Sequence, residues 1–189
     1  AAAWALEGAA LLWIGVRQQR LLPRLSGLLL QLGAGVAFLQ VLEAASGTLP
    51  VANGACLGSV LIAVAGLLSS FTLQRHRASL RVTEAEVHMA ALLWGLGWWF
   101  FAGLREIERF VAWEDQINAK LLFITVSAGA LLWLWRRLEW PALRYPLLGL
   151  LPSAALLALN FLEVRSDSHF FARWGALPWT LLFAVQYRI

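Results

Sequence analysis

From Gly54 to Leu73 the sequence runs for twenty residues without one charged side chain. As a helix this stretch rises about 30 Å, the thickness of a bilayer's hydrocarbon core. Backbone N–H and C=O groups in hydrocarbon must pair within the segment or around a closed barrel. A barrel needs shorter strands with alternating polarity. The run does not alternate, so a membrane helix is the reading. Composition agrees: 60% of residues are hydrophobic and 14% charged, against about 25% charged in soluble domains. With one Cys, a disulfide scaffold is excluded, and so is a disordered chain.

Similar apolar segments recur at Ala1–Val16, Ser26–Glu43, Val87–Leu104, Ile117–Trp135, Tyr145–Leu162 and Gly175–Tyr187. The expectation is all-α: a polytopic transmembrane helix bundle of about seven membrane segments with short loops. Residues 1–189 form a single transmembrane helical region in this reading. Pro23, Pro50 and Pro141 fall in connections, and Pro152 should kink the sixth helix. The first and last segments rise only about 24 and 20 Å. With Ala rather than Met at residue 1, this suggests a piece of a longer polytopic chain. No secretory signal is recognisable.

Charge alternates from one connection to the next. Arg17, Arg20, Arg24, Arg75, Arg77, Arg81, Arg136, Arg137, Arg144 and Arg188 fall on one side, which makes ten of the fifteen basic residues. The other side carries Arg105, Arg109, Lys120, Arg165 and Arg173, with Glu43, Glu106, Glu108, Glu114, Asp115, Glu163 and Asp167. The positive-inside rule then makes the basic loops cytoplasmic and puts the first residues outside. Topology accounts for the net charge of +4. No nucleic-acid motif accompanies it, so the expected partners are the lipid bilayer and further membrane helices, either of the same longer chain or of other proteins.

Several stretches carry a family resemblance. They are Trp4 to Trp13 running into Gly15-Val16-Arg17-Gln18, Gly27 to Gln31, Asn53 to Gly58, Leu93 to Trp99 and Gly103 to Phe110. Together they resemble the large polytopic bacterial proteins of the domain of unknown function 2339 family, over roughly the first two thirds of the chain. The resemblance implies a bacterial inner membrane and a longer protein. It supplies no activity and no catalytic residues.

Glu7 is the most anomalous residue. It lies ten positions before Arg17, about 15 Å along a helix and close to the bilayer centre. A carboxylate facing lipid there costs several kcal/mol, so it should face the bundle, be protonated or have a partner. Two readings fit: a proton or cation site, or a neutral Glu bonded to a neighbouring helix. A weak internal echo supplies the other candidates. Gln40 and Glu43 end the second helix, and Asn160 and Glu163 end the sixth. Each pair is three apart and shares a helix face at the outer rim. A parallel transporter repeat would look like this, and so would two helix ends meeting water and headgroups.

The remaining features read as structure. Leu104–Asp115 is an amphipathic extension of the fourth span. Its acids are either a weak divalent site or a solvated face with pairs such as Glu106–Arg109. Gly54, Gly58, Ala55, Ser59 and Ala63 form small stripes for close packing. Trp113, Trp133, Trp135, Trp140 and Trp174 suggest an interfacial belt. Trp94, Trp98 and Trp99 lie deeper and either pack or line a cavity. The histidines do not pair for a haem, Glu84, Glu86 and His88 match no zinc signature, and no Walker A, G-x-S-x-G or dinucleotide motif occurs. No cofactor or metal is therefore expected. Three function classes remain: transport or translocation of a small molecule, lipid or envelope precursor; a scaffold in an envelope complex; and a membrane enzyme on a lipid-linked substrate. Transport is placed first because of Glu7 and the two rim pairs, and no catalytic motif supports an enzyme.

Overall fold

The computed structural model describes residues 1–80, 82–164 and 174–189, with backbone alone at 79, 82–85 and 160–164. The described residues are helical, with no strand. Two compact units divide the chain, 1–106 and 107–189.

The first unit contains α1 (Ala2–Arg17), α2 (Leu21–Val41), α3 (Gly54–Arg75) and most of α4 (Val82–Phe110). The second contains the end of α4, α5 (Gln116–Leu138), α6 (Arg144–Leu147), α7 (Leu150–Val164) and α8 (Ala176–Arg188). Among the described residues, five stretches are long and apolar enough to cross a membrane: Leu21–Val41, Gly54–Arg75, Glu86–Phe110, Trp113–Leu138 and Pro141–Leu159. α1 and α8, with 16 and 13 residues, are shorter than a full crossing.

In the first unit the tightest packing is backbone on backbone. A Cβ placed on Gly8 would lie 2.5 Å from the Gly27 carbonyl oxygen, and one on Gly27 would lie 2.4 Å from that of Gly8. Only hydrogen fits at this crossing, so α1 and α2 approach as closely as helices can. Gly66 and Gly95 make a similar contact between α3 and α4. The stripe on α3 packs as expected: Ala55, Ser59 and Ala63 are buried, and the Phe38 ring lies against Gly58. Phe38 also joins an aromatic ladder in which its ring centroid is 6.0 Å from Trp98, with Trp94 and Phe101 at 5.9 and 5.6 Å from the same Trp98.

Three sequence expectations change. Pro23 lies in the first turn of α2 rather than in a connection, where its missing N–H costs nothing. Arg24, one residue on, is buried. Its Nε donates to the Gly15 carbonyl at 3.0 Å, serving the last turn of α1. Pro152 does not kink a continuous helix. It occupies the first turn of α7, and the break falls at Leu148–Gly149, between α6 and α7. The reason is that Pro152 has no N–H to offer the Leu148 carbonyl. Trp140 does not belong to an exposed belt, because it is 5% exposed. Trp113 and Trp133 are exposed as a belt requires.

In the second unit Trp174 Nε1 donates to Asp115 Oδ1 at 3.1 Å, tying the start of α8 to the start of α5. Lys120 at the same end of α5 reaches Glu108 at 2.7 Å.

Gly27→Ala should destabilise the fold by about 1–3 kcal/mol, the cost of overpacking a filled site. Gly33→Ala, on the same helix with open space around it, should leave stability unchanged or slightly raised. Thermal unfolding in detergent, comparing the two variants, checks this.

Candidate functional site

Polar side chains gather in three places in the first unit. In the interior, Gln31 Nε2 donates to Ser69 Oγ at 2.9 Å, linking α2 to α3. Gln31 is 3% exposed and Ser69 1% exposed, so the pair is shut away and satisfied.

The second place is the end of the unit where α2 gives way to the 42–53 connection. Asn53 precedes α3 with extended backbone and caps it, its Oδ1 accepting from Cys56 N at 2.9 Å. Its Nδ2 donates to Glu106 Oε1 at 3.0 Å and to the Leu49 carbonyl at 3.0 Å. Glu106 Oε2 also accepts from the backbone N–H of Val51 at 2.7 Å. Glu106 is therefore buried, where the sequence reading gave it to a solvated face or a weak cation site. The physical reason lies in register. Glu106 follows the buried Trp98 and Ala102 at intervals of four, so it continues the inward stripe of α4.

Val51 has φ 61°, a left-handed conformation that a β-branched residue rarely adopts. Ala52 N donates to the Pro50 carbonyl at 2.6 Å, closing a tight γ-turn around it. Such a turn costs about 1–3 kcal/mol unless its surroundings hold it. The charged acceptor on Val51 N is what holds it here. Arg105, the neighbour of Glu106, donates to Glu43 Oε1 at 2.7 Å and to Ser46 Oγ at 3.0 Å. Two consecutive α4 residues thus clamp the α2–α3 connection. The Glu106 carboxylate is held by Asn53 and the Val51 N–H.

Of the rim candidates, Gln40 and Glu43 are exposed, and Glu43 is drawn into the Arg105 clamp. The side chains of Asn160 and Glu163 lie outside the described residues, as does the comparison of the two pairs.

The third place is Glu7. It sits halfway along α1 on the exposed face, between Trp4 and Leu11 and not toward the core formed by Ala5, Ala9 and Leu12. The expectation that it faces the bundle is therefore not met by the first unit. The inward positions of α1 are occupied by small residues that allow the Gly8–Gly27 contact, leaving no room for a carboxylate there. No described residue gives Glu7 a hydrogen bond or an ion pair.

Trp94 and Trp98 both pack and line an open groove: with Leu39, Leu93, Gly97 and Phe101 they border about 310 Å³ of apolar space. No group of three His, Cys, Asp or Glu side chains is placed to hold a metal ion among the described residues. Among known proteins, no family model, no curated protein and no solved structure matches the chain.

Glu106→Ala should release the Val51 turn and cost about 1–3 kcal/mol, because the buried Asn53 amide loses its carboxylate partner. Arg105→Ala should cost under about 1 kcal/mol, because its partner Glu43 is largely in solvent. Amide exchange across 42–53 checks the order: it should speed up strongly in the first variant and little in the second.

Proposed function

We propose that this chain is part of a multi-pass protein of the bacterial inner membrane, related to the domain of unknown function 2339 family. Its role in this reading is transport or translocation of a small molecule, lipid or envelope precursor. About seven segments enter the membrane, the basic loops face the cytoplasm, and further helices of the same or another chain cover α1. One observation carries the reading: the mid-helix carboxylate of Glu7 stands on an otherwise apolar, uncovered face. In hydrocarbon that position costs several kcal/mol. A polar path or a partner helix on that face removes the cost. Gln31 and Ser69 bond to each other in the interior, while Glu7 has no partner among the described residues of the first unit, so in this reading the path runs along the outer face of α1.

A second reading has its own support. Leu22, Leu25, Leu29, Leu32 and Val36 leave one long apolar flank of α2 exposed. A scaffold that offers this flank to another membrane protein fits as well.

Carbodiimide labelling of the protein in its own membranes, read by peptide mass, separates the two. A proton-handling Glu7 is labelled at low pH, with labelling that fades as pH rises, and Glu7→Gln abolishes transport without loss of membrane-inserted protein. Absence of labelling at every pH where the fold survives would refute the transport role of Glu7 and leave the scaffold.

A further inference from the structure

Between the C-terminal ends of α5 and α8 lies an open, solvent-facing groove of about 440 Å³, lined by Gly129, Leu132, Trp133, Arg136, Arg137 and Arg188. Its two halves differ in chemistry. Gly129, Leu132 and Trp133 form an apolar floor on α5. One to two turns further on, about 10 Å along the axis, three guanidinium groups form the rim. Arg136 donates to the Arg188 backbone carbonyl, which fastens the two helix ends together. Among the described residues, no carboxylate lines the space. Glu139 is close in sequence, but it leaves the helix in the left-handed conformation, φ 50°.

Three like charges around one groove repel each other unless an anion sits among them. Planar guanidinium forks match phosphate oxygens two at a time. A free phosphate has no use for the apolar floor, whereas a lipid with a phosphate head fills both halves. The floor is open at Gly129, where a Cβ would meet only Val185, at 3.6 Å. Trp133 is 63% exposed and presents an amphipathic ring at the boundary between the halves.

We propose that this groove binds an anionic phospholipid, with the phosphate held by Arg136, Arg137 and Arg188 and an acyl chain laid over Gly129, Leu132 and Trp133. The inference rests on α5 crossing a bilayer, and needs neither the transport role nor Glu7. A basic pocket at a membrane surface selects lipids by headgroup charge, so occupancy should follow phosphatidylglycerol content.

The test is native mass spectrometry of the full-length protein released from detergent, titrated separately with phosphatidylglycerol, phosphatidylcholine and inorganic phosphate. The expected result is a phosphatidylglycerol adduct that forms well before the phosphatidylcholine one. Each of Arg136→Gln and Arg188→Gln should weaken it by about fivefold. Arg75→Gln, a basic residue outside the groove, should leave it unchanged and controls for loss of bulk charge. Arg137→Lys should keep part of the affinity, showing that the fold survives change at the rim. Equal adducts with both lipids overturn the proposal. So does full displacement of phosphatidylglycerol by inorganic phosphate, which would assign the groove to free phosphate. Carbonate extraction of the membranes, run in parallel, separates this failure from that of the membrane reading. Protein that stays in the pellet but shows no headgroup preference refutes the lipid site alone, while release by carbonate refutes the crossing itself.

Discussion

The contact between Gly8 and Gly27 sets much of the first unit. Two backbones that meet with only hydrogen between them bring α1 and α2 together over most of their length. Gln31, one turn beyond Gly27, is then carried to Ser69 on α3. Arg24, nearly one turn before Gly27, is carried to the open carbonyl of Gly15. In a membrane this arrangement matters more than in water. Lipid is as apolar as the helix faces, so association depends on close packing and on polar ties, both of which follow from the glycine crossing.

The same crossing explains where Glu7 is found. Ala5, Gly8, Ala9 and Leu12 occupy the inner side of α1. A residue between them in sequence is turned outward by the helical period, and Glu7 is that residue. Its exposure follows from packing that excludes bulk at this crossing. The Glu106 carboxylate has the opposite fate. It falls on the inward stripe of α4, and the loss of water is made good by Asn53 and the Val51 N–H. Two acids separated by ninety-nine positions thus take different roles: one ties the chain to itself, and the other stands on the exposed face of α1.

Exposed apolar surface is the other consequence. Leu22, Leu29 and Leu93 stand more than 60% exposed on helices long enough to span a bilayer. In water such flanks would drive aggregation. Against lipid they cost nothing, and the apolar groove at Trp94 and Trp98 belongs to the same kind of surface.

Much of this architecture was legible in the residues alone. The apolar runs placed the helices, because a segment without charge or turn residues must pair its own backbone. However, α2 and α4 extend five or six residues beyond the apolar bounds, and the sixth run is broken between α6 and α7. The small stripe on α3 identified a packing face. Glu7 was identified as anomalous by its depth alone. Which face it takes was not legible, because facing depends on a crossing made by glycines on two different helices. The burial of Glu106, the left-handed Val51 and the three arginines around one groove were equally hidden. Each joins groups separated by some fifty residues, and only the packed chain brings them within a hydrogen bond's reach. The sequence by itself determined that the chain is helical, apolar and charged at alternate ends, since these follow from local composition and period. The tertiary structure decided which polar groups are satisfied within the chain and which are turned outward, since that depends on distances no local pattern encodes.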